Sequence, residues 1–149
     1  MMNFFIAALS GLMLAPHHSA VGAISAIDNE YVKCEIVLHE KELKAGSSGY
    51  LLISFKPKKG IHVTTDPAFH LSLDTLQQFF SLGKAEFSED ANGYLNSGKT
   101  VRQPLTVAKK VMPGSYVVKG TLVYYYCSEN DGWCSRFRQP VELTLTITK

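Results

Sequence analysis

Two cysteines near the end of the chain, Cys127 and Cys134, flank a short polar loop in the stretch YYYCSENDGWCSRFRQP (Tyr124 to Pro140), which also carries the one tryptophan, Trp133. Thiols on the two arms of a hairpin admit three chemistries: a structural cross-link, a metal ligand pair, or a reversible dithiol–disulfide couple. A zinc site takes four ligands, usually in close pairs such as C-x2-C. Here the spacing is C-x6-C, His62 and His70 are remote in sequence, and there is no second pair. No metal and no other cofactor is therefore expected, and both histidines read as strand-surface or turn residues. A structural staple is available but poorly placed. In the chain-entropy model a closed loop of about eight residues is worth roughly 2.5 kcal/mol, against roughly 4.3 kcal/mol for a bridge between sheets that closes about 65 residues.

Reversible exchange needs two thiols within bonding reach, one of them exposed and partly ionised. The flanking charges are unequal. Glu129 and Asp131 lie beside Cys127 and disfavour its thiolate, whereas Arg136 follows Cys134 by two positions, with Arg138 beyond. Two positions along a strand is the same face, so positive charge favours the Cys134 thiolate. Cys134 is the expected attacking sulfur and Cys127 the resolving one. Trp133 and the run Tyr124 to Tyr126 offer either an apolar platform for a docking partner or ordinary strand packing. The third cysteine, Cys34, shares its parity with Val32, Ile36 and Leu38 in YVKCEIVLH. That pattern predicts a buried core cysteine. A bridge from Cys34 to either of the other two would remove the exchange reading.

The elements that must position these residues read as β. Short apolar or period-two runs rich in β-branched and aromatic residues are YVKCEIVLH, GYLLISFK, GIHVTT, VRQPLTVAKKV, YVVKGTLVYYYC and SRFRQPVELTLTIT, separated by turn signals such as KAGSSG, KPKKG and MPGS. Only LDTLQQFFSLG has helical spacing, and it fits a helical turn or a loop equally well. About seven strands without βαβ alternation predict a single-domain, all-β, immunoglobulin-like antiparallel sandwich. The segment FSEDANGYLNSGKT (Phe87 to Thr100) is the longest polar, glycine-containing stretch and is expected to be a mobile loop.

The N-terminus reads as a secretory signal peptide. An apolar run, FFIAALSGLMLAP, is too short for a comfortable membrane span, and it precedes HHSAVGA, with small residues suited to cleavage after Ala23. The expected organisation is a leader over 1–23 and one domain over 24–149, soluble, without a membrane span, and periplasmic or secreted, where disulfides persist. A monomer is expected. A net charge of +2 with one basic turn, Lys56 to Lys59, gives no footprint for nucleic acid.

Alternating strands behind a leader, then LVYYYCSENDGWCSRFRQPVELTL with paired cysteines across a hairpin tip and the PLTV strand before it (Pro104 to Val107), resemble the N-terminal periplasmic domain family of the bacterial thiol:disulfide interchange protein DsbD. The resemblance implies an immunoglobulin-like fold with a reversible disulfide that takes electrons from a thioredoxin-like domain and passes them to thioredoxin-like periplasmic partners. It places the mixed disulfide on Cys134. It also implies a cap loop with an aromatic over the active site, which falls in Phe87 to Thr100, with Tyr94 as the cap aromatic and Gly93 and Gly98 as hinges. The family's full-length members continue into membrane helices and a thioredoxin-like domain, so for a chain stopping at Lys149 the electrons are expected from a separate protein. The competing expectation is a non-catalytic immunoglobulin-like binding module with a permanent hairpin disulfide.

Overall fold

Alternation of buried and exposed residues is the organising pattern of the computed structural model, which describes residues 29–149. The strands are β1 (Val32–Leu38), β2 (Leu43–Lys44), β3 (Ser48–Pro57), β4 (Ile61–Val63), β5 (His70–Leu73), β6 (Phe80–Leu82), β7 (Val101–Val107), β8 (Gly114–Ser128) and β9 (Cys134–Thr148). No helix occurs among the described residues. One sheet has the order β1-β3-β7-β6; the other runs β2-β9-β8-β4, with β5 also paired to β8. Every pairing is antiparallel except that of β2 with the end of β9. This is the immunoglobulin arrangement of an A-B-E-D sheet facing a C-F-G sheet. β1, β3, β7 and β6 take the first four positions, while β4 with β5, β8 and β9 take the other three. The predicted fold class is the observed one.

The inner faces interdigitate. Ile53 and Phe55 of β3, Leu105 of β7, Leu122 and Tyr124 of β8, and Leu145 of β9 are all at most 1% exposed. In antibody domains a disulfide joins the B and F strands. Here the same two strands meet through rings: Phe55 stands edge-on to Tyr124 with centroids 5.2 Å apart, and Phe69 closes on Phe55 at 5.6 Å. The Tyr124 hydroxyl accepts a hydrogen bond from Asn29 Nδ2 at 2.7 Å. Cys34 lies where its parity placed it, buried on the inner face of β1, and its backbone carbonyl accepts a 3.3 Å hydrogen bond from the fully buried Gln139 side chain.

The stretch LDTLQQFFSLG resolves into neither a helix nor a plain loop. The amides of Phe79 and Phe80 donate to the Leu76 carbonyl at 2.9 and 3.1 Å, which makes one turn, and the chain then enters β6. Leu76 is left-handed at φ 55°, a conformation that stops a right-handed helix from propagating. The helical spacing arises because Leu73 and Phe80 belong to the ends of two different strands. The leader expected over 1–23 and the start of the domain at 24 lie outside the described residues. No helix among the described residues is long and apolar enough to cross a membrane.

Candidate functional site

The two cysteines sit at the turn end of the longest hairpin. Cys127 is the last-but-one residue of β8, Cys134 the first of β9, and they are direct cross-strand partners. The neighbouring pair is closed by a 2.8 Å bond from the Ser128 amide to the Trp133 carbonyl, so the cysteines occupy a non-hydrogen-bonded site of the ladder, where partners approach most closely. Their Cα atoms are 4.0 Å apart and their sulfurs are bonded to each other. Cys34 is not part of this bond.

Local chemistry fixes the tip. Gly132, at φ 67°, supplies the left-handed residue that the four-residue connection 129–132 requires, and its amide donates to the Ser128 carbonyl at 3.0 Å. The Asp131 carboxylate accepts from Ser128 Oγ at 3.2 Å. The Glu129 amide donates to the Gly60 carbonyl at 3.0 Å, tying the tip to the turn before β4.

Alternation along β8 puts Cys127 on the outer face with Tyr125, and opposite to the buried Tyr124 and Tyr126. Cys127 is half-buried, whereas Cys134 is exposed. β9 carries β2 on its far edge only at Ile147 and Thr148, so among the described residues no strand shields Cys134 from that side. Arg136 and Arg138 are exposed on the Cys134 face, as their spacing predicted, and Arg136 is the cross-strand partner of Tyr125. Trp133 is placed differently from the docking platform that its sequence position suggested. Its ring meets Tyr31 at 5.0 Å and Tyr126 at 5.9 Å, both edge-on, so it closes the end of the core instead of lining the outer face beside the sulfurs.

On the other side of Cys127 stands a residue that the sequence reading left as surface. His62 of β4 is the cross-strand partner of Cys127, so three residues form a row across the sheet: His62, Cys127 and Cys134. Nε2 of His62 lies 3.1 Å from Oε2 of Glu129. The acids expected to burden Cys127 are thus both engaged, Glu129 with His62 and Asp131 with Ser128. The group on the strand next to Cys127 is an imidazole.

Tyr94 arrives over His62, at one end of this row, from the segment Phe87 to Thr100. Its ring stacks on His62 with centroids 4.6 Å apart and planes 18° from parallel. The segment expected as a mobile loop is laced to β4: the Leu95 amide donates to the Val63 carbonyl at 2.9 Å, Thr65 Oγ1 donates to the Gly93 carbonyl at 2.8 Å, and Leu95 is buried. Oδ1 of Asp90 holds the turn by accepting from the amides of Asn92 and Tyr94, at 2.8 and 3.0 Å. Gly93 takes φ 81° there, while the Gly98 amide donates to the Asn96 side chain. Tyr94 therefore covers the neighbour of Cys127. Replacing it with alanine is expected to speed oxidation of the reduced cysteines by small disulfides several-fold, measured by stopped flow. An unchanged rate would mean that the ring guards nothing.

No group of three or more histidine, cysteine or acidic side chains suited to a metal occurs among the described residues. No protein-family model matches the chain, and no curated protein matches it. Among solved structures, the GAE domain of yeast GGA1 is 14% identical with a TM-score of 0.39, over 76% of this chain and 93% of that one. A likeness at that level carries no argument about what this chain does.

Proposed function

We propose that the chain is an exported thiol:disulfide exchange domain, passing electrons between thioredoxin-like partners through reversible formation of the Cys127–Cys134 bond. The observation that carries this reading is where the bond lies. It joins two residues that the β8–β9 ladder already holds opposite one another, at an exposed tip, while the two sheets are joined by the ring packing of Phe55 and Tyr124. A bond in that place can open without parting the sheets. The hairpin with its paired cysteines, the PLTV strand and a tyrosine-bearing arm stacked on His62 agree with the resemblance to the DsbD N-terminal domain family, whose members relay reducing equivalents in the periplasm. In the proposed cycle the Cys134 thiolate attacks a partner disulfide, one partner sulfur leaves as thiolate, and Cys127 then displaces the other to restore the intramolecular bond.

The export half of the proposal rests on the apolar leader and the small residues before Ala23. A second reading keeps the bond permanent and the domain a binding module. It is favoured by the hydrogen bonds that already lace the tip through Ser128, Asp131 and Gly132. The two readings separate by redox titration of the domain against a glutathione or dithiothreitol buffer. An exchange domain should equilibrate between about −270 and −120 mV, the range of thioredoxin-like proteins, whereas a midpoint below about −300 mV belongs to a structural bond and would overturn the exchange reading.

A further inference from the structure

Exchange proceeds from thiolate to thiolate, so a resting thiol must first give up its proton, and the row across the sheet contains one group able to take it. From the placement of His62, we propose that its imidazole holds the proton of Cys127, with Glu129 as its positioning residue. This rests on the exchange reading and adds to it the residues that gate its second step.

Three observations converge. His62 and Cys127 are cross-strand partners, and such side chains leave the sheet on the same face with Cβ atoms about 4.5–5.5 Å apart. The Glu129 carboxylate lies 3.1 Å from Nε2 of His62, and the Glu129 backbone is itself bound to Gly60, so the carboxylate is delivered by the same hairpin tip that carries the cysteines. The Tyr94 ring stacks on the opposite flank of the imidazole, leaving its side chain 26% exposed. An imidazole held by a carboxylate on one nitrogen is the arrangement that sets the orientation of a general base.

The balance of the step is as follows. After Cys134 has attacked a disulfide and released one thiolate, Cys127 is still a thiol. Its proton passes to His62, the Cys127 thiolate attacks Sγ of Cys134, the bond from Cys134 to the partner sulfur breaks, and the partner leaves as thiolate. Two protein thiols are oxidised and one disulfide is reduced. In the opposite direction a partner thiolate attacks Cys134, and the departing Cys127 thiolate takes the proton back from His62. The charged and titratable groups facing this pair are Glu129 from the tip, Tyr125 from β8 itself, Arg136 from β9 and Tyr94 from the arm. Asp90 in the arm is turned to its own backbone amides.

An aromatic disulfide whose released thiolate absorbs light reads the two steps separately in the reduced full chain. The first release reports attack by Cys134 and the second reports attack by Cys127. In His62→Gln the ratio of second to first rate should fall by at least about tenfold at pH 7, since a positioned base typically contributes a hundredfold or more. The deficit should vanish near pH 9.5, above the ordinary thiol pKa of about 8.5, where Cys127 ionises unaided. Glu129→Gln should show the same deficit in milder form. His62→Phe preserves the stacking on Tyr94 and should behave as His62→Gln does, which separates loss of the base from loss of packing. An unchanged ratio at pH 7, or a deficit equal at both pH values, overturns the role of His62. Absence of any fast first release from the wild-type chain instead overturns the exchange reading itself.

Discussion

With Cys127 changed to serine, Cys134 should capture thioredoxin-like partners as stable mixed disulfides; with Cys134 changed to serine, Cys127 should capture few. A difference of at least about tenfold is expected, because capture requires both thiolate character and access. Access differs plainly between the two. Cys134 is exposed on a strand that has no paired neighbour on its outer edge at that end among the described residues, while Cys127 is half-buried between β4 and β9. Charge acts in the same sense through Arg136, two residues along from Cys134 on its own face. The measurement is non-reducing gel electrophoresis of each variant after incubation with a thioredoxin-like protein that lacks its resolving cysteine and whose remaining cysteine is activated as a mixed disulfide with an aromatic thiol, the leaving group. Equal capture by the two variants would remove the assignment of Cys134 as the attacking sulfur, and with it the part given to exposure.

The largest effect on stability is expected from Phe55, far from the sulfurs. Phe55→Ala should cost about 3–5 kcal/mol, the usual range for a fully buried phenylalanine. The residue is 1% exposed and its ring meets both Phe69 and Tyr124, so the cavity would open at the one place where aromatic side chains join β3 to β8. Opening the disulfide in the wild-type chain should cost less, about 2.5 kcal/mol in the chain-entropy model for a loop of this size. Urea unfolding of Phe55→Ala and of the reduced protein measures both. If reduction proves as damaging as Phe55→Ala, the bond supports the fold and the binding-module reading gains.

The sequence was most legible where a strand is long enough to show its period. β1, β3, β7, β8 and β9 announce themselves by alternation, and that alternation placed Cys34 inside and Arg136 on the face of Cys134. β2, β5 and β6 are two to four residues long. Segments that short take their conformation from the strands they pair with, and no local pattern marks them. The same limit hid the most informative neighbour in the site. GIHVTT, read by period, puts His62 on the outer face of a strand, but nothing local says that this strand lies against β8 with His62 opposite Cys127, a pairing across 65 positions. (The contact with Glu129 spans 67.) Charge read along the chain put Glu129 and Asp131 against Cys127. Folding spent both on other partners, since their neighbours in space are His62 and Ser128. For Trp133 the fold took the packing alternative over the docking platform. One residue from Cys134 on an alternating strand is the opposite face, and there Tyr31 and Tyr126 were waiting.

The β8–β9 hairpin also has a bearing on the order in which the chain assembles. Its partners are joined by a four-residue turn, so it can zip from that turn outward, on the microsecond scale typical of hairpins. The pairings that join the ends of the chain close much larger loops. Leu43 must find Ile147, and Cys34 reaches its place beside Gln139 only after the first sheet has docked on the second. Loop-closure entropy makes such distant pairings late. Cys127 and Cys134 are thus brought together at the beginning of folding, and Cys34 is brought in at the end. If the chain is exported to an oxidising compartment as proposed, it meets its oxidant there with two thiols already side by side and the third still distant along the backbone. The short separation that makes the bond a weak staple makes it a fast and selective one to form, so the architecture itself guards against mispairing.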